Sequence, residues 1–266
     1  MWAMVKSFEE YINEKFEKEI VSAEDCPECL LKIVNYINQR TFKSNKHNDG
    51  RVGSIKDEDD CISLLKESDD FIVSNEVIDN MEKDKTYIFV PKIREWYDLE
   101  VVYNNKHYYI NIKSSNMKTY DNVGGVSAIL FGLFGKRESL SSKKKSEQYS
   151  KLFYEYNKYE SGGSKDLNNI DYYFLVINKQ KLDGCFLTSL NHITKDSIRP
   201  NGSNLPFQCN WSKNSHKKIL TKSQICNIII DTVWESLVKS IDIFEQEPIK
   251  IFMKNHNKIN NIPKLF

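Results

Sequence analysis

The sequence predicts a single α/β domain, in which helices come first, a mixed central β-sheet follows, and helices close the chain. Three observations carry that prediction. Apolar residues recur at helical spacing near both ends of the chain, whereas the middle holds β-branched and aromatic runs such as "KTYIFVPKI", "DYYFLVIN" and "CFLTSL". No repeat and no linker rich in Pro, Gly or Ser divides the 266 residues. With 40% apolar residues, 12% of the chain being aromatic, there is material for a substantial core.

Residues 1–85 read as mainly helical. Phe8, Tyr11, Ile12, Phe16 and Ile20 share one helical face. A second helix runs from Pro27 to about Gln39 on an apolar stripe of Leu30, Leu31, Ile33, Val34 and Ile37. "FKSNKHNDGRVGSIKDEDD" has no stripe and reads as a loop, and residues 61–83 read as two short helices. Residues 86–190 form the sheet-bearing core. "KTYIFVPKI" is a strand ending before Pro91, and "WYDLEVVYNNKHYYINIKSS" is a hairpin turning at Asn104-Asn105. "SSNMKTYDNVGG" reads as a loop, "VSAILFGLFGK" as a buried helix and "SEQYSKLFYEYNKY" as an amphipathic one. After the turn "ESGGSKDLNN" come the strands "DYYFLVIN" and "CFLTSL". Residues 191–266 hold the loop "RPNGSNLPFQCNWSKN" and the helix "SQICNIIIDTVWESLVKSI"; the tail from Glu245 onward is ambiguous.

Charge and cysteine content exclude several classes. Lys and Arg total 38 against 37 Asp and Glu, so any basic surface must come from segregation rather than net charge. The N-terminus is charged where a secretory signal would be apolar, and "VSAILFGLF" is too short to span a bilayer, so a cytoplasmic protein is expected. Six cysteines in such a chain are expected to be reduced. Cys26 and Cys29, in "CPEC", have no second pair to complete a zinc site, and they read as a helix start with Pro27 in its first turn. "FGKRES" fails as a phosphate-binding loop because Leu130 occupies the first glycine position and Arg137 follows the lysine.

The hairpin concentrates the chemistry. A two-residue turn at Asn104-Asn105 sets position 98 opposite 111. Strand alternation then puts Asp98, Glu100, Asn111 and Lys113 on one face, and Leu99, Val101, Tyr103, Tyr108, Ile110 and Ile112 on the other. Two carboxylates and an amide oxygen are hard donors of the kind Mg²⁺ takes, and a lysine beside them can orient water and offset phosphate charge. The same residues would equally make the charged wet face of an ordinary hairpin, where ion pairs contribute little.

The spacing from Asp98 through twelve residues to "NIK" resembles the PD-(D/E)xK nuclease signature, with Lys113 as the motif lysine. "WYDLEV", "YYINIKSS" and "DNVGG" before an apolar helix, with "LPFQCNWSKN" downstream, are similar to type II restriction endonucleases of that superfamily. The likeness spans Trp96 to Asn214. It implies a restriction-endonuclease-like α/β core, Mg²⁺-dependent cleavage of double-stranded DNA at a short sequence, a homodimer, and a DNA methyltransferase encoded alongside. In that reading Asp98 and Asn111 hold the metal, Lys113 positions the attacking water, and Glu100 is a further candidate ligand. The chain departs from the pattern at Tyr97, where proline usually precedes the first acid, and at Asn111, which replaces the second acid. A catalytically silent DNA-binding protein and a repair nuclease of the same superfamily are the alternatives.

Other segments are candidate DNA contacts. Asp121 and Asn122 precede a helix, where they would either hold a phosphate or cap the helix. "KRESLSSKKK" carries five basic residues, among them Lys143 and Lys144, suited to phosphates or to plain solvation. Arg199, Asn201, Asn204, Gln208, Asn210 and Lys213 include the side-chain types that read base edges, in a stretch whose Pro, Gly and Asn content equally suits plain turning of the chain. The histidines form no spaced pair; His107 alone lies on the hairpin's polar face.

Overall fold

A computed structural model of the protein describes residues 27–40, 50–162, 171–181, 184–201, 206–214, 220–237 and 247–256. The helix expected over residues 8–20 and most of the turn expected over 160–169 lie outside them. A six-stranded mixed sheet forms the centre of the fold. Its strands, in spatial order, are β1 (Phe71–Ser74), β2 (Thr86–Phe89), β3 (Leu99–Tyr103), β4 (Lys106–Ser115), β6 (Tyr172–Asn178) and β7 (Phe186–Ser189). β1 runs parallel to β2 and β4 parallel to β6; the remaining neighbours are antiparallel. Helices cover both faces, as the α/β prediction requires.

Strand alternation builds two cores. Leu99, Val101, Tyr108, Ile110 and Ile112 pack with Tyr173, Leu175 and Ile177 against α1 (Glu28–Gln39) and α2 (Gly50–Lys66). On the other face, Tyr172, Phe174 and Val176 meet α3 (Val126–Phe134), α4 (Lys145–Glu160), α5 (Lys222–Leu237) and α6 (Glu247–Asn255). β6 is therefore buried along its whole length, in keeping with its unbroken apolar run.

The hairpin has the expected register. Tyr103 pairs with Lys106 and Leu99 with Ile110, which extrapolates to 98 opposite 111. Asn104 and Asn105 have φ of 50° and 62°, the doubly left-handed turn that asparagine tolerates best after glycine.

Four segments differ from expectation. Residues 50–60 are helical, because α2 buries Gly53, Asp57, Cys61 and Leu65 at four-residue spacing. Two of those four are not hydrophobic, so an apolar-periodicity reading misses the stripe. The region expected to be helical through residue 83 ends its helix at Lys66 and continues as the strand β1. The segments read as plain loops, 114–125 and 199–214, contribute β5 (Asp121–Asn122) and β9 (Phe207–Cys209). With β8 (Ile198–Pro200) these form a second, three-stranded sheet in the order β5-β9-β8. The ambiguous tail supplies α6.

Pro27 is the N-cap of α1 rather than a first-turn residue, its carbonyl accepting from the Leu30 and Leu31 amides. Cys29 is buried, and burial pushes its thiol up to about 11, away from the thiolate that metal or redox chemistry uses. Among the described residues, no helix is long and apolar enough to cross a membrane.

Candidate active site at the end of the hairpin

Asp98 lies just before β3 and is buried, at 5% exposure. Its Oδ2 accepts a 2.7 Å hydrogen bond from the Ile112 amide, which ties the start of one hairpin strand to the end of the other. Burial raises the pKa of its carboxyl, against the opposing pull of the Lys113 ammonium, that hydrogen bond and Arg94.

Asn111 projects to the α3 side, level with Phe174 of β6, and is 6% exposed. Its orientation is determined by Tyr172. That hydroxyl spends its only hydrogen on the Trp96 carbonyl, at 2.8 Å, so it must accept from Asn111 Nδ2, at 3.2 Å. The amide oxygen is thereby turned away from Tyr172, and Asn111 Oδ1 is buried with no hydrogen-bond partner. An orphaned buried acceptor costs about 1–3 kcal/mol unless a cation or a bound water takes it. The polar face of the hairpin is thus no wet surface, since two of its members are buried in the protein.

Lys113 is half-buried. Its charge acts on three carboxyls from three different elements, Glu58 of α2, Asp98 and Asp121 of β5. Among the described residues it closes no ion pair with any of them. A lysine held among carboxylates yet unpaired keeps its donors for another anion.

Glu58 escaped the sequence reading because it sits in the segment taken for a loop. α2 delivers it by dividing the acidic run "DEDD" among separate partners. Buried Asp57 takes a hydrogen bond from the Ser114 hydroxyl and lies 3.8 Å from Lys179 Nζ, locking α2 to the end of β4. Asp59 pairs with Arg94 at 3.0 Å. Glu58, between them, faces Asp98 and Lys113. Burial and then the Asp98 charge push its carboxyl up to about 7, with Lys113 pulling the other way. The signal that could have revealed it is the i, i+4, i+8 relation of Asp57, Cys61 and Leu65.

The structure does not bring Glu100 into this group. It shares the face by parity but lies nearer the turn, where Oε1 is 2.8 Å from His107 Nδ1. Its Oε2 accepts from the Tyr97 hydroxyl at 3.1 Å and lies 3.9 Å from Arg137. Glu100, His107 and Tyr97 border a separate cleft of about 250 Å³, lined also by Val77, Phe89 and Val90. Glu100 is therefore spent on its own ion pairs, and Glu58 is the second carboxylate facing Asp98.

Among the described residues, no three His, Cys, Asp or Glu side chains form a ready metal cage. A cation at Asp98 would rely on the orphan Asn111 oxygen, on Glu58 and on retained waters. That donor set fits Mg²⁺, which binds through one or two carboxylates and keeps much of its hydration.

The other expected contacts are divided. Asp121 does not cap α3; the N-cap is Gly125, and Asp121 instead accepts from the Ser115 hydroxyl at 2.5 Å. Asn122, Arg199, Asn201 and Gln208 meet on the small sheet, in a hydrogen-bonded group that no spacing rule foretold. Lys213 lies 5.8 Å from the Tyr120 ring at its edge. Asn210 is 5% exposed, and its Oδ1 caps the short 3₁₀ turn at Trp211–Lys213, accepting from the amide and the hydroxyl of Ser212. It has a structural use in place of the expected DNA contact. Lys143 and Lys144 are exposed just before α4, and Asn204 lies outside the described residues.

No protein-family model matches the chain, and a search of curated proteins finds no match either.

Proposed function

We propose that this chain is a type II restriction endonuclease of the PD-(D/E)xK superfamily, hydrolysing duplex DNA with Mg²⁺ as a homodimer. The observation that carries the reading is the unpaired Lys113 set beside buried Asp98 and the orphan oxygen of Asn111. A solvated hairpin face has no reason to bury a carboxylate and an unsatisfied amide around a lysine without pairing them. A mixed sheet covered by helices on both faces agrees with the core that the motif resemblance implies.

In this reading Asp98, Asn111 and Glu58 would hold the ion, which supplies a more acidic bound water and offsets charge on the scissile phosphate. Lys113 orients the attacking water and donates to a phosphate oxygen. The water oxygen bonds to phosphorus, one P–O ester bond breaks, and the departing oxygen takes up a proton. Asp121, held by Ser115, adds its negative charge to the field around Lys113.

Incubating the protein with phage DNA and Mg²⁺ tests the proposal. Discrete bands are expected from the wild type, and none from Lys113→Ala, which should still bind duplex. Persistent cutting by that variant would remove the mechanism. Duplex binding by the wild type without nicking at any Mg²⁺ or Mn²⁺ concentration would instead indicate a silent DNA-binding protein.

A further inference from the structure

The three-stranded sheet sets one row of polar side chains abreast. Asn122 of β5 pairs with Gln208 of β9, and Gln208 pairs in turn with Arg199 of β8, so the three side chains lie abreast. The adjacent row, Cys209 and Ile198, is buried in the core, which turns the polar row outward. Asn122 and Arg199 are exposed and Gln208 is half-buried.

Hydrogen bonds run along the row in one direction. Arg199 Nε donates to Gln208 Oε1 at 3.0 Å, and Gln208 Nε2 donates to Asn122 Oδ1 at 3.1 Å. Asn122 Oδ1 also accepts from Asn201 Nδ2 at 3.3 Å. The Arg199 guanidinium lies 4.5 Å from the centre of the Tyr120 ring, with Lys213 Nζ 5.8 Å from the same ring. Among the described residues neither cation has an acidic partner. Two like charges over one ring, with no counter-charge, favour the arrival of an electron-rich ligand.

The clamp selects among such ligands. Gln208 fixes Arg199 at Nε, with the Tyr120 ring packed against the guanidinium, leaving the two Nη groups as a fork. A phosphate needs charge but little orientation, whereas the O6 and N7 edge of guanine needs an in-plane bidentate donor. The row and the candidate catalytic group share the strand β5: Asp121, paired with Cys209, faces the other side and responds to Lys113, while Asn122 faces outward. We infer that Arg199, held by Gln208 beside the Tyr120 ring, reads a guanine in the major groove of the DNA this chain binds. This rests on the nuclease reading and assigns one base of its recognition sequence.

The test is selection of bound duplexes from a pool of 24-bp duplexes randomised over their central positions, in EDTA so that nothing is cut. The wild-type protein should enrich a sequence with an invariant guanine. Arg199→Ala and Arg199→Lys should both lose preference at that one position, by roughly 10- to 100-fold, while the rest of the sequence is retained. Gln208→Leu, which keeps the charge but frees the fork, should weaken the same preference. Full preference in Arg199→Lys, or an equal loss of affinity for all sequences in Arg199→Ala, would identify a phosphate contact and overturn the inference alone. Failure of the wild type to enrich any duplex would overturn both this inference and the nuclease reading. Enrichment without Mg²⁺-dependent cleavage would remove only the latter.

Discussion

Removing the Glu95 carboxylate tests how the basic segment after α3 is held. Glu95 Oε1 accepts from the Ser127 hydroxyl at 2.5 Å, the Leu140 amide at 2.9 Å and the Ser141 amide at 3.0 Å. One side chain thus joins the chain entering the hairpin to α3 and to the loop that leads to Lys143 and Lys144. Burial would raise its pKa, but these hydrogen bonds outweigh burial and lower it. Each bond to a charged group is worth about 1.5–3 kcal/mol where water is excluded. Here the exposed Ser141 amide can rehydrate, and the Leu140 amide keeps a second acceptor in Ser127 Oγ at 3.1 Å. Glu95→Ala should therefore cost about 1–2 kcal/mol at pH 7, a fall in Tm of about 3–6 °C for a chain of this size. The pH dependence has a definite sign. A carboxyl with a depressed folded pKa contributes stability that is present above its unfolded value near 4.5 and is lost as pH falls through the folded one. Thermal unfolding of the wild type and Glu95→Ala from pH 7 down to 3.5 should show the gap between them narrowing below about pH 4.5. A gap under about 0.5 kcal/mol at pH 7, or one that does not change with pH, would refute the assignment of Glu95 as the anchor of this loop.

Two further substitutions probe the site and the turn that builds it. Glu58, pushed up to about 7, binds a proton in the folded state that the unfolded chain releases near 4.5, so folding loses stability as pH rises between those values. Glu58→Gln should accordingly be more stable than wild type at pH 8 and equal to it at pH 4, as followed by urea unfolding in EDTA; equal stability at both pH values would place Glu58 in water. Asn105→Val forces a β-branched residue into φ of 62° and should cost about 1–2 kcal/mol. Asn105→Gly should cost nothing, and chemical denaturation giving the same loss for both would show that the turn conformation does not determine hairpin stability.

What could be read in the sequence followed the strength of its periodicities. The hairpin's alternation is strict, and its asparagine turn admits essentially one register, so the pairing of 98 with 111 and the membership of both faces came through. Helices α1, α3, α4 and α5 announced themselves by their apolar residues. α2 did not, because the stripe it buries is made of Gly53, Asp57, Cys61 and Leu65, and the energy that holds Asp57 in place comes from Ser114 and Lys179, about sixty residues or more away in sequence. The cost of that omission was Glu58. The same limitation applies to the small sheet. Asn122, Arg199 and Gln208 are unremarkable polar residues of two loops until antiparallel pairing sets them abreast. Glu100 erred in the opposite direction: parity correctly assigned its face, but its distance along the strand from Asp98 put His107 and Arg137 within reach instead.

The amide at position 111 has a physical meaning in its surroundings. A carboxylate at position 111 would lie against Tyr172, which has already given its hydrogen to Trp96 and so has none to offer a second acceptor. An asparagine satisfies that hydroxyl's lone pair with its amide hydrogens and still presents an oxygen on its other side. α2 sets a second carboxyl, Glu58, within electrostatic reach of Asp98 and Lys113. The amide in the hairpin and the acid carried by a helix are one arrangement: Tyr172, its hydrogen spent on Trp96, takes a donor from position 111, and α2 brings the Glu58 carboxyl within reach of Asp98.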